Sequence, residues 1–331
     1  MNQIGIDVSN DVFDATRACG TQVTRRQFAN TPGGHRQFLR WALARTGGAR
    51  VCLEATGVYH LQLALALHAA SAIELMVVNP CAARRFVQAR MVRAKTDAID
   101  ADGLLLFLQR MPFEPWSAPR LEVLQLQSLA HRMAQLNKEI TRERSRLHAA
   151  RRAGPYTRVV QQDLQAHIKQ LQRRLAAMQQ RAAEVVQRDT QLAEQARLID
   201  SAPGFAERSS IQLLAELAPL AADMHAAQWV AQAGLDPRPS ESGSSVRAPR
   251  QISKQGNARI RAVLFMAALV AIRHDTHVVA FYEKLLAKGK TKMTAITAVM
   301  RKLLHALWGM LQHRQVWDGE KFYRLNPSQT A

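Results

Sequence analysis

"QIGIDVSNDVFDATRACGTQVTRRQFAN", residues 3–30, is the stretch on which the fold turns. "QIGIDVS" is a short apolar run of strand type, and "VFDATRA" and "QVTRRQFAN" follow it at hairpin distance, so these three strands pair antiparallel. Outward from there, "TPGGHRQFLRWALART" begins with turn residues and continues as a helix anchored by Phe38, Trp41 and Leu43. "ARVCLEATG" reads as a buried strand, "VYHLQLALALHAA" as a helix, and "AIELMVVNP" as a strand ended by Asn-Pro. Two helices follow, "CAARRFVQAR" and "DAIDADGLLLFLQR". The order βββαβαβα predicts an α/β unit whose mixed sheet has three antiparallel strands, then parallel ones, covered by helices.

"MPFEPWSAPR", residues 111–120, holds three prolines and reads as a linker. Past it, Leu126, Leu129, Met133, Leu136, Ile140 and Leu147 fall on alternating three- and four-residue steps, with a polar gap at Glu143. After Gly154-Pro155 the same steps recur through Leu164, Ile168, Leu171, Leu175, Met178, Ala182 and Val185. Two such helices joined at a Gly-Pro break form either an antiparallel hairpin or a dimer arm. From residue 198 the composition changes. "LIDSAPGFAERSSIQLLAEL" is a helix end, a Pro-Gly turn and a new helix, read either as an ordinary turn or as a helix-hairpin-helix whose amides meet phosphate. Another helix leads to "RPSESGSSVRAPRQISKQGNARIR", rich in serine and cations, before a long helix.

The chain has 331 residues, enough for two or three domains, and its 47% hydrophobic content is that of a folded protein. Its 45 Lys and Arg against 26 Asp and Glu give a net charge of +19, spread over all parts of the chain. A polyanionic partner, nucleic acid first, fits that balance. The longest apolar run, "AVLFMAALVAI", has 11 residues and is flanked by Arg261 and Arg273, too short to span a bilayer. The start of the chain has no signal-peptide pattern, and Cys19, Cys52 and Cys81 form no CxxC pair. A cytoplasmic protein without disulfides, zinc or membrane partner is expected.

Against this basic background, "AKTDAIDADG", residues 94–103, gathers Asp97, Asp100 and Asp102. On a helix Asp97 and Asp100 share a face about 60° wide, while Asp102 points elsewhere. A solvated acidic face is one reading, with Asp11, Asp14 and Asp102 as surface or turn residues. The sheet supplies another. Asp7 lies in the first strand and Glu54 ends the fourth; if those strands are neighbours, Asp7, Glu54, Asp97 and Asp100 converge. Four crowded carboxylates raise one another's pKa unless a cation compensates. Magnesium or manganese (Mg2+ or Mn2+) prefers such oxygens, and two ions about 3.5–4 Å apart activate the attacking oxygen and stabilise the leaving one at a phosphodiester.

"GIDVS", "LEATGVY", "VNP", "AKTDAIDA", "GLDP" and "SGSSVRAPRQISKQGNARIR" occur in an order that resembles transposases of the insertion-sequence 110 type and the related pilin-gene inverting recombinases. The resemblance spans nearly the whole chain. It implies an RNase H-like (RuvC-like) domain over residues 1–111, a linker and coiled-coil hairpin or dimer arm over 112–197, and a mostly helical C-terminal transposase domain over 198–331. It places an Asp-Glu-Asp-Asp tetrad on Asp7, Glu54, Asp97 and Asp100, and the family's essential serine on Ser242. It also implies a structured non-coding RNA that bridges donor and target DNA, and a homo-oligomer, a dimer or a tetramer in the synaptic complex.

Read by itself, the Ser-Gly stretch is a flexible linker. With the resemblance Ser242 becomes the leading nucleophile, Ser240, Ser244 and Ser245 remaining alternatives. Arg247, Arg250, Lys254 and Arg259 are candidates to orient a phosphate and stabilise its transition state. Lys284, Lys288, Lys290, Lys292, Arg301 and Lys302 form a basic run, either a solvated surface or contacts to a nucleic-acid backbone. The expected activity is DNA strand cleavage and rejoining through a Ser242–DNA ester assisted by the metal-bound tetrad. The alternatives are a junction nuclease that uses water and a non-catalytic adaptor.

Overall fold

The computed structural model describes residues 1–44, 46–55, 57–89, 97–221, 223–238, 241–242, 246–247 and 251–325, without the side chains of 97–99, 241–242 and 246–247. They form two compact units, residues 1–118 and 119–331.

The first unit is built on strands β1 (Asn2–Val8), β2 (Val12–Cys19), β3 (Gln22–Ala29), β4 (Ala49–Glu54) and β5 (Ile73–Val78), in the sheet order β3-β2-β1-β4-β5. β1–β2 and β2–β3 pair antiparallel, β1–β4 and β4–β5 parallel, which is the mixed sheet expected from the order of elements. Period-two alternation gives each face its own partner. Ile4, Ile6, Phe13, Ala15, Val51 and Leu53 bury one face against α1 (Pro32–Leu43) and α2 (Tyr59–His68). Rings of Phe13, Phe28, Phe38 and Trp41 meet there at centroid separations of 5.4–5.9 Å. Thr31 starts α1 by capping the Gly34 amide at 3.3 Å. Buried Asn2 stops it, donating to the Ala42 and Ala44 carbonyls at 2.7 and 3.0 Å.

The other face packs under α3 (Pro80–Ala89) and α4 (Asp97–Arg110) through Cys52, Met76, Val78, Leu104, Phe107 and Leu108. Gly5 decides how closely α4 approaches. A Cβ there would coincide with the Ala101 carbonyl oxygen and the Leu105 amide, so glycine lets helix backbone lie directly on strand backbone.

In the second unit α5 (Leu121–Ala153) and α6 (Arg158–Arg188) are joined by Gly154 and a three-residue turn, Pro155–Thr157, and pack on each other as a helical hairpin. Both stripes are spent inside the chain: Leu126, Met133, Leu136 and Ile140 share one core with Leu171, Leu175, Ala182 and Val186. Leu171 is 1% exposed, so a charge placed there would break this hairpin rather than merely separate protomers. The polar gap in the stripe, Glu143, is buried and paired with Arg146 at 2.7 Å. That core continues into α7 (Thr190–Asp200), α8 (Glu207–Leu217), α9 (Ala226–Gln232), α10 (Ala258–His274), α11 (Thr276–Ala287), α12 (Lys292–His313) and α13 (Gly319–Phe322).

The Pro-Gly turn between α7 and α8 has a packing role. Gly204, at φ 86°, sits where a Cβ would strike the Ala267 carbonyl of α10. Among the described residues no single helix is long and apolar enough to cross a membrane.

Candidate active site

Asp7 and Glu54 stand at the carboxyl ends of adjacent parallel strands, one residue beyond the paired Ile6 and Leu53. Alternation puts Asp7 on the side of Gly5, and Glu54 on that of Cys52, which is the face under α4. Gln109 donates to Gln3 at 3.1 Å, whereas Ala101 and Leu105 lie over Gly5. α4 therefore runs antiparallel to β1, and its first turn, with Asp97 and half-buried Asp100, lies toward the Asp7 end. The charge of Glu54 is felt two residues back: burial first, and that charge second, push the Cys52 thiol up to about 12.

The third aspartate of the acidic stretch has a separate task. Asp102 accepts from the Thr16 hydroxyl of β2 at 2.7 Å and forms a two-pronged pair with Arg25 of β3, at 3.0 and 2.7 Å. Reading Asp102 as a surface or turn residue misses this contact, which fastens α4 across two strands. Bonding to Asp102 raises the pKa of the Arg25 guanidinium. Among the described residues no three His, Cys, Asp or Glu side chains gather closely enough to hold an ion, and the Asp97 side chain lies outside them. The set is all oxygen, the chemistry that suits a hard divalent cation.

Ser242 lies on β7 (Glu241–Ser242), which pairs antiparallel with β8 (Val246–Arg247), Ser242 opposite Val246. β6 (Pro237–Arg238) pairs likewise with β9 (Gln251–Ile252). The stretch read as a linker is thus strand-paired in these segments, in a unit otherwise helical. Ser240, Ser244, Ser245 and Arg250 lie outside the described residues, as do the side chains of Ser242 and Arg247.

The residues that flank β6 and β9 are tightly bonded. Ser253 donates to Asp236 by hydroxyl at 2.5 Å and by amide at 2.9 Å, and the Lys254 amide donates to Gly234 at 3.1 Å. Lys254 itself is held at φ 53°, an uncommon value for a side-chain-bearing residue. Gly256, at φ 146°, presses on the Gln232 carbonyl so closely that a Cβ has no room. Arg261 donates to the Ala233 carbonyl at 2.8 Å. "GLDP", residues 234–237, and "SKQGNARIR", residues 253–261, are one clasp.

A buried network supports the clasp from below. Asn257 caps α10 through its carbonyl oxygen and donates by its amide to Glu216 of α8 at 2.6 Å. His131 of α5 donates to the other oxygen of Glu216 at 2.8 Å. Burial alone would push the Glu216 carboxyl up; the His131 and Asn257 bonds and the Arg259 charge outweigh it and leave the pKa lowered. Nothing in the sequence singles Glu216 out except an acid inside the apolar run "LLAEL". Arg259, an expected phosphate ligand, has its Nε 3.9 Å from Glu216, and its side chain is 53% exposed.

Lys288, Lys290 and Lys292 are exposed around the turn from α11 to α12. The basic run divides there. Lys302 instead lies over the rings of Phe281, Phe322 and Tyr323 at 4.4, 4.9 and 5.3 Å, its pKa lowered by burial and then by Lys284. Lys284 stands 5.0 Å over Tyr323. Lys302 thus spends its charge on packing, while Lys284 stays exposed.

Residues 4–153 match a family model for the DEDD transposases of the IS110 type, and residues 196–283 match the model described as transposase IS116/IS110/IS902 family; together they cover well over half of the chain. The pilin gene-inverting proteins of Moraxella bovis and Moraxella lacunata are each 25% identical over 322 residues, covering 95% of this chain and 97% of theirs. The uncharacterized 42 kDa protein of insertion element IS900 of Mycobacterium paratuberculosis is 31% identical over 126 residues, 37% of this chain and 31% of its own. The chain belongs to the IS110 family of transposases and is, by that membership, a DNA recombinase.

Proposed function

We propose that this transposase cuts and rejoins DNA through a covalent bond between Ser242 and a DNA phosphate, with Asp7, Glu54, Asp97 and Asp100 holding Mg2+ or Mn2+. The observation that carries the reading is the parallel pairing of β1 with β4, which sets Asp7 beside Glu54 on the face over which the first turn of α4 lies. A bound divalent ion supplies charge for the phosphoryl oxygens and makes an attacking oxygen more acidic. As the Oγ–P bond of Ser242 forms, the bond from phosphorus to the departing strand's oxygen breaks. That oxygen takes up a proton, and the serine proton goes to a base.

The clasp beside β6 and β9 ties together the two ends of the segment that carries Ser242, which limits the orientational cost of attack. Arg247, Arg250, Lys254 and Arg259 orient the phosphate, and Lys288, Lys290 and Lys292 meet nucleic-acid backbone. The partners in this reading are donor and target DNA, an element-encoded bridging RNA and further copies of the chain.

Incubation with labelled DNA carrying the element's ends, followed by phenol extraction, tests the reading. Label retained with wild-type protein, and lost in Ser242→Ala, Asp100→Asn and EDTA, is the expected result. Free cut ends without an adduct would replace serine by water; an adduct that survives in Ser242→Ala would move the nucleophile to Ser240, Ser244 or Ser245. An adduct that forms normally in EDTA would separate the acidic set from the chemistry.

A further inference from the structure

The far end of the α5–α6 hairpin has features that packing does not explain. Residues 142–158 carry six arginines against one acid, Glu143, and that acid is buried on Arg146. Arg142, Arg144, Arg146, Arg151, Arg152 and Arg158 are all exposed. Arg151 and Arg152, in the last turn of α5, suit the negative end of its dipole. Arg158 does not: it opens α6, where the dipole is positive and no acid stands in the first turn. The two helix ends oppose one another in sign, so the arginines decide the charge and leave this tip electropositive.

At its apex Tyr156 is 82% exposed, the highest value for a large apolar side chain among the described residues, with Val159 and Val160 beside it. The turn that presents the ring is closed by specific bonds. The Thr157 hydroxyl is 2.7 Å from the carbonyls of both Ala150 and Gly154, and the Gln161 amide donates to that hydroxyl at 2.9 Å. Pro155 stiffens the turn further. An aromatic ring is therefore held out in water on a rigid mount, amid arginines.

We propose that this tip binds a nucleic-acid strand, Tyr156 stacking on an unpaired base while Arg151, Arg152 and Arg158 hold the flanking phosphates. A base offers a π face to the ring whatever its identity, and guanidinium forks match phosphate oxygens. A second copy of the same tip is repelled by its own charge. An anionic lipid surface would satisfy the arginines, but surface-seeking segments present a long apolar helix face, and here the exposed apolar group is one ring and two valines on a turn.

The test uses the full chain and fluorescence anisotropy with short labelled single strands of DNA and of RNA, the matching duplex, and phosphatidylserine vesicles. Tyr156→Ala should weaken single-strand binding about tenfold and leave the duplex nearly unchanged. Tyr156→Phe, which keeps the ring, should bind like wild type. Arg151→Gln combined with Arg152→Gln should weaken strand and duplex alike and flatten the salt dependence on single strands by about 0.7 for each phosphate no longer neutralised. The DNA and RNA arms show which strand is preferred.

Unchanged single-strand affinity in Tyr156→Ala would overturn the proposal, as would an equal loss in Tyr156→Phe. Loss of vesicle binding with intact oligonucleotide binding would assign the tip to a membrane surface instead. The readout is binding alone, so failure here leaves the Ser242 adduct experiment unaffected.

Discussion

In residues 1–118 the candidate ligands stand on regular elements, Asp7 on β1, Glu54 on β4 and Asp100 on α4. In residues 119–331 the candidate nucleophile stands on a strand only two residues long, and the tight bonding lies in the residues that flank β6 and β9, in the clasp of Gly234, Asp236, Ser253 and Gly256. The difference fits two demands. A cation needs its oxygens fixed relative to one another, which strand pairing and a helix laid on a glycine provide. A nucleophile that meets a phosphate on a long polymer suits a short segment whose two ends are firmly tied.

The largest effect should come from the helix seat. Gly5→Ala puts a methyl group into the Ala101 carbonyl and the Leu105 amide, and backbone atoms cannot rotate away as a side chain would. A loss of about 3 kcal/mol or more in urea unfolding is expected, together with loss of the DNA adduct, because α4 carries Asp100. Unchanged stability would mean that α4 does not sit on β1, and the first unit would lose its claim to the more firmly fixed site.

The second unit is tested at Glu216. In Glu216→Gln one of the two donors, His131 or Asn257, faces an amide group that cannot accept, at a cost of about 1–3 kcal/mol. Acidification separates the Glu216 network from the buried histidines by pH. Burial lowers the pKa of His35 below its ordinary 6.5, so the unfolded chain binds that proton more readily, and the first unit loses stability as pH falls through and below 6.5. The depressed Glu216 carboxyl contributes stability above its ordinary 4.5, lost only as pH falls further, through its folded value. His305 of the second unit, its pKa lowered by burial and then by Arg301, acts in the same sense below 6.5. Hydrogen exchange from pH 7 to 3 should therefore show both units weakening below 6.5 and residues 119–331 weakening further below 4.5, and Glu216→Gln should remove that later loss.

Much of the first unit was legible in the sequence because its topology is local: hairpin spacing makes strands antiparallel, and short helical crossovers make them parallel. The adjacency of Asp7 and Glu54 was conditional on β4 lying beside β1 rather than β3, and the sheet order supplies that condition. What escaped depends on distant partners. Asp102 gains its role from Thr16 and Arg25, 86 and 77 residues away, and Lys302 from rings on other elements. In the second unit the clasp joins two motifs quoted separately, and only folding shows that Gly234 lies against the backbone of Lys254 and Gln255 and the Arg261 guanidinium, and Gly256 against the backbone of Gln232 and Gly234. The strands around Ser242 were hidden by serine, glycine and proline, which argue against strand wherever tertiary pairing does not override them.

The smallest effect decides most about the acidic stretch. Asp100 and Asp102 stand two residues apart on one helix, one a proposed ion ligand, the other bonded to Thr16 and Arg25. In Asp102→Asn the Thr16 hydroxyl keeps an acceptor, and what is lost is the charge facing Arg25, whose side chain is 59% exposed. Pairs that open to water are worth little, so the loss should stay below about 1 kcal/mol, shrink further in high salt, and leave the DNA adduct in place. Asp100→Asn should do the reverse: stability equal to or slightly above wild type, since a repelling charge is removed, and no adduct. Thermal unfolding and phenol extraction on the same two proteins read both quantities. If Asp102→Asn loses the adduct at unchanged stability while Asp100→Asn keeps it, the two roles are exchanged, and the ion ligand belongs on the side of α4 that faces β2 and β3.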